Sequence, residues 1–271
     1  MPRSAVNGVS LAYEEHGEGV PLVWAHEYAG SMETWRPQVR FFARRYRVIT
    51  YNARGYPPSD VPSDAEAYSI DHSVEDLYQL LRQLGVSQAH VGGLSMGGGV
   101  TTVFGLRHPE MTRSMIIASA GSGSSDPVTF RQAQAAQAEN LERGGIETLR
   151  SWQWGATRVQ LQRKDPVGWR EFIDQFEAHS PAGMALTARG VQGKRPPLFD
   201  YEAELKQLQV PALILIGDED EPCIEPAWFL KRTLPNAGLM VFPRSGHAIN
   251  LEEPDLFNRA VLDFLTAVDQ P

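Results

Sequence analysis

The chain has 271 residues, of which 42% are hydrophobic and 21% charged, and its formal net charge is −8. This composition is typical of a soluble globular protein and excludes a disordered one, and the length allows one large α/β domain or two ordinary ones. The acidic balance, without any basic cluster, argues against nucleic acid as a partner.

The sequence also indicates where the protein resides. Its apolar runs, such as residues 212–216, are far too short to span a bilayer, so we expect no membrane association. The amino end lacks the apolar segment of a secretory signal. The single cysteine, Cys223, cannot form an internal disulfide, which favours a reducing, cytoplasmic location. The sequence leaves a homo-oligomer possible.

Strands and helices alternate through the first half of the chain. Asn7-Gly8 predicts a hairpin within residues 5–14. Compact apolar runs then predict strands at 20–25, 46–51, 89–94 and 114–119. Apolar residues at three-and-four spacing, or runs of helix-compatible residues, predict the helices between these strands, at 33–43, 70–84 and 100–106. This alternation predicts a mostly parallel sheet with crossover helices.

The alternation stops between about residues 121 and 208. That stretch has helical segments, for example 129–143 and 167–178, and it is rich in Trp and Phe. Strand periodicity resumes at 211–216 and 239–242, and a last helix begins at Pro254. We therefore predict an α/β fold, a central sheet flanked by helices, formed by residues 1–121 and 209–271. A helical insertion occupies residues 122–208.

The strongest chemical signal is Gly93-Leu94-Ser95-Met96-Gly97, a Gly-x-Ser-x-Gly pattern between a predicted strand and a predicted helix. Such a turn must be tight and strained, and flanking glycines avoid the clashes that side chains would cause. It presents the hydroxyl of Ser95 at a helix amino end, where the dipole favours developing negative charge. Ser95 is therefore a candidate nucleophile.

A serine hydroxyl needs a neighbouring base, and that base needs an acid to orient it. His247 is the best base of the seven histidines, because Arg244-Ser245-Gly246-His247 forms a loop after the last predicted strand. Four consecutive acids, residues 218–221, follow the predicted strand 211–216, which comes before the His247 loop in the chain. We choose Asp220 as the orienting acid and keep Asp218 in reserve, which gives the chain order Ser, Asp, His.

These motifs resemble the α/β-hydrolase fold superfamily across essentially the whole chain. The matching pieces are Gly93–Gly97, Gly217–Asp220, Ser245–His247 and the loop that starts at His26. The resemblance implies that Asp220 is the acid, and that the backbone N–H groups of Tyr28 and Met96 form an oxyanion hole. It also implies that residues 122–208 form a cap over the pocket.

One position departs from the pattern of the superfamily, which usually has His-Gly where this chain has His26-Glu27. A carboxylate there opposes the negative charge of an oxyanion. Glu27 either turns away and pairs with a cation such as Arg54, or faces the pocket mouth and disfavours anionic substrates. The aromatic residues Trp152 and Trp154 of the insertion are further candidates for substrate contact, although helical aromatic residues more often belong to a core.

The sequence thus predicts a serine hydrolase, a carboxylic ester hydrolase acting on a small molecule without a cofactor. No cluster has the spacing of a metal site, so we predict no metal. The same set of residues also suits a carbon–carbon bond hydrolase, a lactonase or a perhydrolase. From a different class, some members of the fold are ligand-binding receptors.

Overall fold

The structure, a computed structural model, describes residues 1–153 and 155–270, except for the side chains of residues 152 and 153. The described residues contain one eight-stranded sheet. Its strands, in chain order, are β1 (Arg3–Val6), β2 (Val9–His16), β3 (Val20–Ala25), β4 (Tyr46–Tyr51), β5 (Ala89–Leu94), β6 (Thr112–Ala118), β7 (Ala212–Gly217) and β8 (Ala237–Phe242).

The strands lie in the order β1-β2-β4-β3-β5-β6-β7-β8. The β1–β2 and β2–β4 pairs are antiparallel, and the remaining pairs are parallel. Every residue of β5 and β7 is buried, as expected for central strands covered by helices on both faces. A Cβ at Gly92 of β5 would lie 2.2 Å from the ring of Trp24, so the glycine lets this indole pack across the neighbouring strand.

Helices cover both faces of the sheet. They are α1 (Arg36–Phe42), α2 (Ile70–Gln83), α3 (Met96–Arg107), α4 (Pro127–Gly144), α5 (Arg150–Gln153), α6 (Val159–Lys164), α7 (Pro166–Glu177), α8 (Pro181–Thr187), α9 (Glu202–Leu205), α10 (Glu221–Thr233), α11 (Ile249–Glu252) and α12 (Pro254–Asp269). Shorter 3-10 turns span Met32–Trp35, Ala65–Ala67, Pro109–Met111, Ile146–Leu149 and Leu198–Tyr201, and a π-helical turn spans Ala188–Gln192.

The elements between β6 and β7 are helical in the part of the chain that the structure describes. They are α4 to α9, which lie within the predicted insertion of residues 122–208. Their apolar side chains join a cluster with residues of the sheet rim: Tyr28, Tyr56 and Met96 belong to the same buried group as Trp169 and Phe176. The insertion therefore packs on the carboxyl ends of the central strands, above the Ser95 turn.

The α/β fold class predicted from the sequence is confirmed. Several boundaries differ from the predictions; for example, the helix predicted at 100–106 begins at Met96 and the strand predicted at 239–242 begins at Ala237. The helix predicted at 33–43 is a 3-10 turn followed by α1, and the strand predicted at 114–119 begins at Thr112 and ends at Ala118. Ser119 has a φ of 46°, outside the β region, which ends the strand. Among the helices in the described ranges, none is long and apolar enough to cross a bilayer.

Candidate active site

Ser95 occupies a strained turn between β5 and α3. Its backbone has φ 56° and ψ −110°, a conformation that residues with a side chain rarely adopt. A Cβ at Gly93 would lie 2.3 Å from the carbonyl carbon of Gly97, and a Cβ at Gly97 would lie 2.1 Å from the carbonyl oxygen of Ala25. Only glycine fits at both positions. The glycines of the motif therefore have a steric cause, as the sequence predicted.

The loop after β3 is held by its carbonyl groups. Three consecutive carbonyls each accept a hydrogen bond from a side chain: Glu27 from His26 Nδ1 at 2.7 Å, Tyr28 from the Tyr56 hydroxyl at 2.7 Å, and Ala29 from His179 Nε2 at 3.0 Å. In a trans peptide the N–H points opposite to the carbonyl. Fixing the Glu27 carbonyl therefore also fixes the direction of the Tyr28 N–H.

His26 is a neutral imidazole with a defined tautomer. Its Nε2 accepts the N–H of Ala53 at 3.0 Å, so the proton lies on Nδ1, which donates to Glu27. Burial lowers the pKa of His26 to about 4, which keeps the ring neutral near pH 7. The second predicted N–H, that of Met96, belongs to the first residue of α3, where the helix has no carbonyl to pair with it.

His247 lies in the loop between β8 and α11, and its Nδ1 donates to Oδ2 of Asp220 at 2.8 Å. This contact makes Nε2 the basic nitrogen. Burial alone would lower the pKa of His247, but the Asp220 carboxylate raises it above its ordinary value. The reserve acid, Asp218, is not the partner of the imidazole: it accepts the N–H of Ser245 at 3.1 Å.

Cys223 lies beside this pair, and its thiol donates to the carbonyl of Ser119 at 3.3 Å. One possible ligand atom from each of Asp220, Cys223 and His247 lies within 4.8 Å of the others. A metal site there needs a thiolate, but burial raises the pKa of Cys223 well above its ordinary value. The donor set therefore fits a hydrogen-bonded cluster with a protonated thiol better than it fits a metal.

The prediction for Glu27 requires a correction. Glu27 is 1% exposed and pairs with Arg158 of the insertion, whose Nη1 lies 3.2 Å from Oε1 and whose Nη2 contacts Oε2. Arg54 is occupied elsewhere, because its Nε donates to Asp76 of α2 at 2.7 Å and its Nη1 donates to the Ala67 carbonyl. The predicted Arg54 partner is thus wrong, and the carboxylate of Glu27 lies beneath Arg158 and not at the pocket mouth.

The Glu27 pair lies directly beside the candidate base. Oε2 of Glu27 is 4.0 Å from Nε2 of His247. Burial acts to raise the pKa of Glu27, but the Arg158 guanidinium outweighs it and holds this pKa below the ordinary value. The acid is therefore ionised near pH 7. At this position the chain has a buried, charge-balanced ion pair.

A cavity of about 220 Å³ connects these groups. It is lined by Ser95, Asp220 and His247 together, along with three glutamine side chains and several hydroxyl side chains. Its lining residues are Tyr28, Ser95, Ser122, Gly123, Phe130, Gln134, Gln137, Thr157, Arg158, Gln192, Asp220, Pro222, Cys223 and His247. Residues of the sheet rim and residues of the insertion thus line one cavity together.

The insertion is also tied to the histidine loop by direct hydrogen bonds. The backbone N–H of His247 donates to the carbonyl of Thr157 at 2.7 Å, and Lys164 Nζ donates to Ser245 Oγ at 2.9 Å. A Cβ at Gly246 would lie 2.3 Å from the same Thr157 carbonyl. Residues 157–164 therefore help to set the position of the imidazole.

Sequence reasoning missed two groups at this site. Arg158 had no signal, since 131 residues separate it from Glu27. Glu252 was also overlooked: its Oε2 accepts the N–H of Gly246 at 2.7 Å, and its Oε1 accepts that of Ala248 at 3.1 Å. These two bonds hold the loop on both sides of His247. Burial raises the pKa of Glu252 to about 7.

The aromatic candidates of the insertion divide into two groups. Trp154 and the side chain of Trp152 lie outside the described residues, so their predicted contact with substrate stays a prediction. Trp169, Phe172 and Phe176 are buried in the cluster that joins the insertion to the sheet rim. These three residues form part of a core, as most helical aromatic residues do.

The parallel sheet, the strained serine turn and the buried His–Asp contact together define a hydrolase of the α/β type. The chain belongs to the α/β hydrolase fold family, whose model matches residues 20–254.

Its relatives agree with this assignment. A protein of Pseudomonas savastanoi pv. phaseolicola named as a carbamate hydrolase, RutD, is 29% identical over 93% of this chain and 96% of its own length. A thermophilic esterase from Thermogutta terrifontis has a similar structure, with a TM-score of 0.90, 24% identity and 99% of each chain covered. The enol-lactonase from Burkholderia xenovorans gives a TM-score of 0.86 at 23% identity, covering 98% of this chain and all of its own. The two structures show a shared fold.

Proposed function

We propose that this chain is a serine hydrolase that cleaves carboxylic esters of small molecules through an acyl-enzyme intermediate. One observation carries the proposal: Ser95 and His247 line the same cavity, and the Nδ1 of His247 donates to the buried carboxylate of Asp220. A serine at a strained turn, a base with its proton fixed on the far nitrogen and an orienting acid are the parts that nucleophilic acyl transfer needs.

In the proposed reaction Ser95 Oγ attacks the acyl carbon while Nε2 of His247 takes its proton. The oxyanion that forms accepts hydrogen bonds from the N–H groups of Tyr28 and Met96. His247 then gives its proton to the leaving alcohol, and the acyl-enzyme forms. Water attacks this intermediate with His247 again as base, which releases the acid and restores the serine. Each step needs only residues of this chain.

The cavity suits a small, polar reacting group. Its volume is about 220 Å³, and it contains Gln134, Gln137 and Gln192 as well as Arg158. Amide side chains of this kind bind oxygen and nitrogen atoms of a ligand by hydrogen bonds. Arg158 is balanced by Glu27, so the Asp220 carboxylate is the remaining charge on the walls while His247 is neutral. We therefore propose an uncharged polar acyl or alcohol group near the scissile bond.

A carbamate is the second candidate substrate. The amide-rich lining favours it, because a carbamate has an N–H that an ester lacks, and the relative named as a carbamate hydrolase points the same way. The same mechanism applies, with nitrogen attached to the carbonyl carbon. Lactone opening is ester hydrolysis in a ring and belongs to the first proposal.

The experiment is a rate comparison on two matched panels, p-nitrophenyl esters and p-nitrophenyl carbamates of increasing size, with wild type, Ser95→Ala and Ser122→Ala. We expect Ser95→Ala to lose on the order of 10⁶-fold in kcat, because the nucleophile is removed. Ser122→Ala is the matched control, since Ser122 lines the same cavity without the strained turn, and we expect it to keep most of the activity. Undiminished turnover by Ser95→Ala would overturn the mechanism.

A receptor function gives a different result in the same assay. A fluorophosphonate labels an activated serine whether or not the protein turns over. If wild type is labelled at Ser95 but hydrolyses no ester or carbamate over multiple turnovers, the result supports a ligand-binding receptor and contradicts the proposed hydrolase. If it is labelled and turns over one panel, that panel identifies the carbonyl class.

A further inference from the structure

A second concave surface adjoins the catalytic cavity. It is a groove of about 700 Å³ between α4 of the insertion and α10 of the core, and we call it the outer groove. Its walls include Thr129, Phe130 and Ala133 on one side, and Ile224, Trp228 and Arg232 on the other. The last three are spaced by four residues along α10, so they form one stripe of that helix facing the groove.

The outer groove borders the cavity. Gly123, Phe130 and Pro222 line both. Gly123 has a φ of 83°, and a Cβ there would lie 2.2 Å from Cγ of Phe130. Only glycine at this position leaves the phenyl ring where it is, at the boundary between the two spaces. Phe130 therefore stands where a ligand bound at Ser95 would pass to reach the groove.

The cavity and the outer groove differ in volume, and only together do they match a site for a whole small-molecule ligand. The cavity, at about 220 Å³, is smaller than the ~300–1,000 Å³ typical of a site that takes a whole small-molecule ligand. The outer groove adds the missing volume and an aromatic surface, because Trp228 is 47% exposed and its indole lies on the groove wall. Stacking on an exposed indole favours a flat, apolar group.

The charges at the outer groove limit what binds there. Three acids, Asp126, Glu221 and Glu225, line it with one base, Arg232. The guanidinium of Arg232 lies over the ring of Trp228, 5.9 Å from its centroid. Acidic groups are in excess, so a carboxylate in the groove is repelled, whereas an uncharged ring is not.

We infer that the outer groove is the distal half of the substrate site and takes an uncharged aromatic group, with Trp228 as its main contact. This inference rests on the proposed hydrolase function, because the reacting carbonyl is placed at Ser95. The substrate is then an extended molecule, with a small polar reacting end in the cavity and an aryl end near α10.

The test compares one short ester with two extended ones. The short ester is ethyl acetate, which has no ring, and the extended ones have a single phenyl ring on the acyl side (ethyl 4-phenylbutanoate) or on the alcohol side (4-phenylbutyl acetate); acid release is followed by titration. In Trp228→Ala we expect KM to rise about tenfold for at least one extended ester, with kcat little changed and the short ester unaffected. Phe41→Ala, which removes an exposed ring on α1 outside the groove, is the matched control.

Two kinetic results would overturn the inference: an unchanged KM for both extended esters in Trp228→Ala, or an equal rise in Phe41→Ala. Self-association of wild type that Trp228→Ala abolishes would also overturn it and would assign the groove to a second copy of the chain. If wild type hydrolyses no ester at all, the proposed function fails separately. Calorimetry with phenylbutanamide then tests the groove alone, and binding that Trp228→Ala weakens supports it.

Discussion

The two edges of the His247 imidazole face two carboxylates that are equally buried but differently used. Asp220, 1% exposed, accepts the hydrogen bond of Nδ1 at 2.8 Å. Glu27, also 1% exposed, lies 4.0 Å from Nε2 and accepts its hydrogen bonds from Arg158. Both acids raise the pKa of His247, and Arg158 acts against them. The ring thus lies between two anions and is hydrogen-bonded to only one of them, Asp220.

This difference explains how a buried acid is tolerated beside the candidate base. A buried carboxylate without a partner beside Nε2 would accept that nitrogen's proton and keep the ring in its charged, non-basic form. Arg158 satisfies both oxygens of Glu27 and so leaves Nε2 directed towards the cavity. The insertion therefore contributes to the chemistry of the core as well as to the shape of the pocket.

The largest effect on kcat is expected from changing Asp220, the partner of His247 Nδ1. Asp220→Asn keeps the size of the side chain but places an amide where a carboxylate oriented the ring, which favours the wrong tautomer. We expect kcat to fall on the order of 10⁴-fold, as in serine proteases with this change. Asp218→Asn is the matched control because Asp218 bonds only a backbone N–H among its described contacts, that of Ser245. A comparable loss in both variants would contradict the assignment of Asp220.

Changing either member of the Glu27–Arg158 pair beside Nε2 should shift the pH dependence of kcat/KM, in opposite directions. The acid limb of kcat/KM reports the pKa of the free base. Glu27→Gln removes an anion that raises the pKa of His247, so the limb moves to lower pH. Arg158→Met removes the opposing cation, so the limb moves to higher pH. The double variant returns towards wild type.

These shifts are measured as full pH–rate profiles on one uncharged ester. The other groups facing the ring, Asp220, Cys223 and Glu252, stay the same in all variants, so the comparison isolates the ion pair. Shifts in the same direction for Glu27→Gln and Arg158→Met would show that the pair acts only through folding. Glu27→Gln also leaves Arg158 without its carboxylate, so we expect carboxylate-bearing esters to gain relative to neutral ones.

Much of the fold and the centre of the site could be predicted from the sequence, and the reasons are local. Ser95 was found because a tight strand–helix turn needs glycines at fixed positions, and His247 and Asp220 because parallel strands end at one rim. Partners across the cap interface have no such local signature. Arg158 and Glu27 meet only after the helices of the insertion have packed, and Arg54 had a nearer acid, Asp76, that sequence spacing did not reveal.

The smallest effect on kcat is expected at Glu252, which bonds the backbone N–H groups of the residues on either side of His247. Glutamine has a single side-chain acceptor, so Glu252→Gln keeps one of the two bonds to Gly246 and Ala248 and turns an amide towards the other N–H. We expect kcat to fall about threefold to tenfold because the His247 loop is less firmly held. This corresponds to roughly 0.7–1.4 kcal/mol, the contribution of one hydrogen bond.

Stability against pH distinguishes this role from a general loss of packing. The folded-state pKa of Glu252, about 7, lies above its ordinary value of 4.5. From pH 4.5 to 7 the folded state therefore keeps a proton that the unfolded chain has lost, and the Glu252 contribution to stability falls as pH rises through this window and is constant above it. Urea unfolding at pH 5 and pH 8 measures this fall. It should be larger in wild type than in Glu252→Gln, and an equal fall in the two proteins would show that the carboxyl does not titrate in the folded loop.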